Sequence, residues 1–143
     1  MNKIINKLIN HFLEKPKTLF LVDGVGAILT AFVLFVIMRQ LNEYFGMHKT
    51  VLTCLSVIAC FFCIYSATCF LFLKSRWTLF INIIGISNLL YCFLTMGLLI
   101  KYHALLTTIG VIYFIAEIAI ICALGYIEIK VAKEIKKKGL FDN

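Results

Sequence analysis

The sequence predicts an all-α integral membrane protein: an antiparallel bundle of four transmembrane helices preceded by an amphipathic interfacial helix. Three observations predict it. Four apolar stretches, residues 18–38, 51–73, 77–100 and 104–127, fill most of the 143 residues. At 1.5 Å per helical residue, each is long enough for a hydrocarbon core of about 30 Å, which about 20 residues cross. Hydrophobic residues make up 62% of the chain and charged ones 15%, whereas about a quarter of a soluble domain is charged. The connections are short: about twelve residues between the first two spans and about three in each of the others, which forces antiparallel neighbours and leaves no room for a catalytic domain outside the membrane.

Residues 1–17 do not span. Ile4, Ile5, Leu8, Ile9, Phe12 and Leu13 recur with helical period against Asn2, Lys3, Asn6, Lys7, Asn10 and Lys15. This predicts an amphipathic helix lying in the membrane interface and ended by Pro16. The first span, 18–38, is longer than a signal-sequence core and no small-residue cleavage motif follows it, so it is expected to remain as an anchor. Beyond the fourth span, Ile127, Val131 and Ile135 continue the helical period while lysines cover the other face. The last helix should therefore run out of the membrane into the basic tail, residues 128–143, with Gly139 as its stop.

The net charge of +7 is distributed as a topology signal. Lys3, Lys7, Lys15, Lys17, Lys74, Arg76, Lys130, Lys133, Lys136, Lys137 and Lys138 fall on one side, against Arg39, Lys49 and Lys101 on the other. By the positive-inside rule both termini and the second loop are cytoplasmic, and the expected location is a bacterial inner membrane. The basic surface then suits anionic lipid headgroups and argues against nucleic acid as its partner. Trp77, Tyr44, Phe45, Tyr102 and Tyr126 fall where belt aromatics belong.

Within each span the small and polar residues form a stripe: Asp23, Gly26, Ala27 and Thr30; Thr53, Ser56, Cys60, Cys63 and Ala67; Asn82, Gly85, Asn88, Cys92 and Thr95; Gly110, Tyr113 and Glu117. Membrane helices associate through small residues and interhelical hydrogen bonds, so these stripes are the expected inner faces. Counting depth at 1.5 Å per residue puts Glu117, Asn88, Thr30 and Cys63 near the midplane, with Asp23 and Asn82 in a shallower cytoplasmic layer. A carboxylate at the bilayer centre costs about 2.5 to 3.5 kcal/mol on insertion scales, so Glu117 should face inward. Low dielectric favours a neutral acid, which would donate to Asn88 or Tyr113. The candidate ligand or proton site is therefore Glu117, Asn88, Tyr113 and Thr30, with Asp23 and Asn82 as a secondary polar layer.

Other motifs are read as packing. Asp23-Gly24-Val25-Gly26-Ala27 opens a membrane helix instead of following a strand, so its glycines serve close helix contact and not phosphate. His48 and His103 fall at the outer rim without Cys, Asp or Glu at metal spacing, so no metal is expected. The six cysteines, Cys54, Cys60, Cys63, Cys69, Cys92 and Cys122, all lie inside spans, which disfavours a disulfide framework.

Four helices with cytoplasmic termini and the Cys60/Cys63 pair in the second span resemble the quinone-coupled disulfide-forming membrane oxidoreductases. In that family the pair lies at the periplasmic end of its helix and a second pair occupies a long outer loop, whereas Cys60 and Cys63 lie deep and the last outer loop is about three residues. Thiols in apolar surroundings are inert, and no residue role is carried over. In topology alone the chain is similar to small multidrug-resistance transporters, which also have four spans and one essential membrane Glu. Theirs is in the first helix, where this chain has Asp23, while Glu117 is in the fourth.

Three functions follow as expectations: a non-enzymatic subunit or accessory packing against a second copy or a larger membrane partner through faces such as Ala27 with Ala31 and Ala119 with Ala123; a proton- or cation-coupled carrier using Glu117; and thiol oxidoreduction at Cys60 and Cys63. No catalytic triad, metal cluster, phosphate loop or exposed acid pair is present, and no cofactor is expected.

Overall fold

A computed structural model describes residues 2–74 and 76–139, the side chains of Asn2 and Lys3 excepted. The element order is α1 (Asn2–Glu14), α2 (Pro16–Phe32) continuing without a break as a π-helical stretch (Val33–Met38), α3 (Asn42–Phe45), α4 (Lys49–Phe72), α5 (Trp77–Tyr102) and α6 (Thr108–Lys138). Four helices, Pro16–Met38, Lys49–Phe72, Trp77–Tyr102 and Thr108–Lys138, are long and apolar enough to cross a membrane. Their outer faces carry exposed Phe61, Phe93, Ile112 and Ile120, a surface suited to lipid. The chain is a multi-pass, all-α membrane bundle.

The bounds have local causes. Pro16 lacks the N–H that α1 would need to continue and displaces Lys15 from helical geometry (φ −134°, ψ 72°), while fitting the first turn of α2. At the far end of the bundle, Thr107 caps α6: its Oγ1 accepts from the Gly110 N–H at 3.2 Å and donates to the Tyr44 carbonyl at 2.6 Å. Gly46 is left-handed at φ +75°, and a Cβ there would overlap the Leu105 carbonyl. The two far-end loops are thus stitched together by backbone contact. At the other end Gly139, also left-handed, closes α6 as expected of its C-terminal stop. The rest of the tail, residues 140–143, lies outside the described residues.

The helices pack as two antiparallel hairpins, α2 with α4 and α5 with α6. In the second, Gly85 and Gly125 let the backbones approach so closely that a Cβ on Gly85 would lie 3.2 Å from the Gly125 carbonyl. In the first, Ser56 Oγ donates to the Ala31 carbonyl at 3.1 Å. The hairpins join through two apolar clusters. One, at the end bearing the termini, gathers Leu19, Phe20, Trp77, Ile81, Val131 and Ile135; the other, at the far end, gathers Leu34, Met38, Leu52, Leu55, Tyr91 and Phe114. Along each of the four helices the buried polar groups lie between these clusters.

α1 forms as its periodicity predicts. Ile9, Phe12 and Leu13 of its apolar face are buried in the terminal-end cluster, while Ile4 and Leu8 remain exposed. The helix therefore covers the end of the bundle with part of the face expected to enter the interface.

The inner face of the second span differs from the stripe expected. Cys60 and Ala67 are exposed, and the buried residues are Leu52, Leu55, Ser56, Ala59, Ser66 and Cys69. On the side of α4 that meets α2, Ser56 bonds to the Ala31 carbonyl, Ser66 bonds to Asp23, and the Ser66 Cβ lies 3.6 Å from where a Cβ on Gly24 would stand.

Candidate functional site

The interior polar groups are carried by all four spans. Among the described residues, the buried charged side chains are Asp23, Glu117 and Glu128, and no Lys or Arg is buried. Three acids without a basic partner is an arrangement that low dielectric makes expensive unless protons, hydrogen bonds or bound cations compensate.

The acids sort into two groups. In the first, α2 supplies Asp23, α4 Ser66, α5 Asn88 and α6 Glu128. Ser66 Oγ donates to Asp23 Oδ2 at 2.5 Å, and Asn88 Nδ2 donates both to Asp23 Oδ1 at 2.7 Å and to Glu128 Oε2 at 2.9 Å. In the second, Tyr91 OH on α5 donates to Glu117 Oε1 on α6 at 3.1 Å. Glu128 Oε1 and Glu117 Oε2 have no hydrogen-bond partner.

Glu117 opens onto a cavity of about 240 Å³ between the hairpins. Asp23, Thr30, Asn88, Tyr91 and Tyr113 share its wall with Glu117, and Ala59, Phe62, Ile120, Ile121 and Leu124 make the remainder apolar. On α6 the spacing explains the lining: Tyr113, Glu117, Ile120, Ile121 and Leu124 follow at three to four residues and so occupy one face. The volume has room for about eight waters at about 30 Å³ each, or for one small organic molecule. Three aromatic rings, Phe62, Tyr91 and Tyr113, line it beside the carboxyl, the Phe62 and Tyr91 rings standing edge to face with centroids 6.0 Å apart.

The structure brings Glu117, Asn88, Tyr113, Thr30 and Asp23 to one cavity but rearranges their partners. Asn88 bonds to Asp23 and Glu128 and not to Glu117, because its position one turn toward the terminal end faces α2. Tyr113 lines the cavity without a hydrogen bond to Glu117; Tyr91, across the helix interface, supplies it. Asn82 is half-buried and outside the Asp23 group, so the shallow layer is Asp23, Ser66, Asn88 and Glu128 instead of Asp23 with Asn82.

Three residues of this interior escape a reading of the sequence alone. Glu128 falls after the apolar run and just before Lys130 and Lys133, yet with Leu124, Val131 and Ile135 it holds the inner stripe, the signal that would have found it. Ser66 repeats the spacing of Ser56 and Ala59. Tyr91 looks like any apolar aromatic until its place three residues after Asn88 is noticed.

The remaining candidates lie elsewhere. All six cysteines are free, Cys60 is exposed, and Cys63 lines a shallow outer groove with Phe20 and Gly24 in place of the cavity. His48 and His103 are exposed, the first against the Tyr102 ring and the second against the Ile100 carbonyl. Among the described residues no group of three or more His, Cys, Asp and Glu is placed to hold a metal ion.

Comparison of the chain with protein-family models, with curated proteins and with solved structures gives no match.

Proposed function

We propose that this protein carries a small, largely apolar cation, of the quaternary ammonium kind, across the membrane in exchange for protons at Glu117. The observation that supports the reading is a buried carboxyl group, Glu117, that lines an apolar cavity and whose Oε2 has no hydrogen-bond partner. A cation there gains a carboxylate and the neighbourhood of the Phe62, Tyr91 and Tyr113 side chains that line the cavity; cation–π contacts are worth about 2 kcal/mol when desolvated. The apolar walls suit the organic shell of such an ion and offer little to a hydrated one. When the cation leaves, a proton on Glu117 restores neutrality in the low-dielectric interior.

The orientation that accompanies this reading puts both termini in the cytoplasm, where Lys130, Lys133, Lys136, Lys137 and Lys138 face anionic headgroups. Protons then compete with the cation for one carboxyl that alternates between the two sides.

The test is uptake into vesicles. Proteoliposomes with an acidic interior should accumulate labelled tetraethylammonium from a more alkaline medium, lose it on addition of a protonophore, and fail to accumulate it with Glu117→Gln. Uptake equal to that of protein-free vesicles, or retained in Glu117→Gln, would remove the carrier reading and leave a packing role for Glu117.

A further inference from the structure

We propose that Asp23, Ser66, Asn88 and Glu128 form a binding site for a monovalent metal cation, Na+, separate from the place of the organic cation at Glu117. Each of the four spans contributes one of these side chains, and all are hard oxygen donors once the amide of Asn88 presents Oδ1. Asp23 and Asn88 are 3% exposed, Ser66 and Glu128 0%. The independent sign of a missing ligand is Glu128 Oε1: its sister oxygen is bonded to Asn88, yet it has no donor in a fully buried position.

The geometry already marks where the ion belongs. One nitrogen, Asn88 Nδ2, stands 2.7 Å from Asp23 Oδ1 and 2.9 Å from Glu128 Oε2, so a partial positive charge bridges two carboxyl groups. Rotation of the amide by half a turn puts Oδ1 nearly where that nitrogen stands, so that three oxygens converge and a cation coordinated by all three takes over the role of the N–H donor. Ser66 Oγ, now donating to Asp23, becomes a further ligand when its proton turns away. The set then offers both oxygens of Asp23 and one each of Glu128, Asn88 and Ser66.

The donor count selects the ion. Ca2+ takes six to eight oxygens and Mg2+ keeps several waters, and side chains at most 3% exposed hold neither so many ligands nor so much water. A monovalent ion leaves one negative charge among two carboxyls, which one proton on Glu128 neutralises. With the ion gone, a second proton restores neutrality, so Na+ and H+ compete. The titratable groups involved are Asp23 from α2 and Glu128 from α6, with the Cys63 thiol of α4 in electrostatic reach of Asp23; the groups from α4 and α5 that bond here, Ser66 and Asn88, are neutral.

The ion site stands without the carrier reading, and its test contains no organic cation. Thermal unfolding of the full chain in nanodiscs of neutral lipid is followed in NaCl, KCl and CsCl at constant ionic strength and several pH values. Na+ should raise Tm saturably, by about 5–10 °C at about 100 times its Kd. The apparent affinity should weaken as pH falls. Asp23→Asn, which removes the carboxylate that stays charged beside the ion, should abolish the rise, Ser66→Ala should weaken it, and Glu43→Gln, at an exposed carboxylate of α3, should leave it unchanged. Should Asp23→Asn fail to fold, 22Na+ binding decides: saturable binding by the wild type that weakens in Ser66→Ala supports the site, and no binding, or equal binding by both, overturns it. Equal Tm in Na+, K+ and Cs+ at every pH, or a Tm that responds to protons alone, overturns the proposal, as does a Na+ response preserved in a folded Asp23→Asn.

Discussion

Asn88 and Glu128, forty residues apart in the chain, are held together by a 2.9 Å hydrogen bond whose donor nitrogen also reaches Asp23. One amide therefore ties α2 and α6 to α5, at the level where the two hairpins would otherwise meet only through apolar side chains. Without it, two buried carboxyl groups lose a donor at once. Because an unsatisfied buried group costs about 1–3 kcal/mol and more when charged, Asn88→Ala should destabilise the bundle by at least that amount. Asn82→Ala, at a half-buried position outside the group, should cost under about 0.5 kcal/mol. Reversible unfolding in mixed micelles reads both; equal costs would refute the assignment of Asn88 as the tie.

Tyr91 has two roles that substitution separates. Its hydroxyl holds Glu117 and its ring faces the cavity. Tyr91→Phe keeps the ring and should lower tetraethylammonium affinity only modestly. Tyr91→Leu removes the ring as well and should lower it by about 5- to 30-fold, the range of a desolvated cation–π contact. Isothermal titration of both variants checks the order, and a Tyr91→Leu protein that binds like the wild type would remove the aromatic contribution.

Two glycines with opposite surroundings test the packing. A Cβ on Gly125 would lie 3.1 Å from the Gly85 carbonyl, backbone that cannot move without parting α5 and α6, whereas a Cβ on Gly26 meets nothing within 4 Å. Gly125→Leu should prevent the hairpin from closing, seen as loss of a monodisperse folded species. Gly26→Leu should fold normally and, because Gly26 lines the cavity, should reduce tetraethylammonium binding by filling it. Normal folding of Gly125→Leu would contradict the close approach.

The architecture was legible because lipid imposes it. A helix that crosses a hydrocarbon core needs a run of apolar residues, and Pro16, Gly139 and the short loops mark where the runs begin and end. The inner faces of α2, α5 and α6 were legible for a related reason: Asp23, Asn88 and Glu117 are too costly to face lipid. The stripe of α4 was misjudged because its outer face is also built of small groups, Cys60 and Ala67, so polarity alone does not distinguish its sides. Pairing was not legible, since depth counted along single helices cannot tell that Asn88 turns toward Asp23. Glu128 was lost to the lysines that follow it, although the stripe through Leu124 and Val131 points inward past them. No feature of one helix announces a cavity of about 240 Å³ between two hairpins.

The central claim is that Glu117 exchanges a proton for an organic cation. Its most direct measurement is calorimetric titration of the purified protein with tetraethylammonium in nanodiscs, from pH 5 to pH 9 in buffers of differing ionisation enthalpy, which gives affinity and proton release together. The account predicts affinity that falls as pH falls, release approaching one proton per cation bound at low pH, and no binding by Glu117→Gln. Binding that is independent of pH, or binding by Glu117→Gln with wild-type affinity, would contradict it.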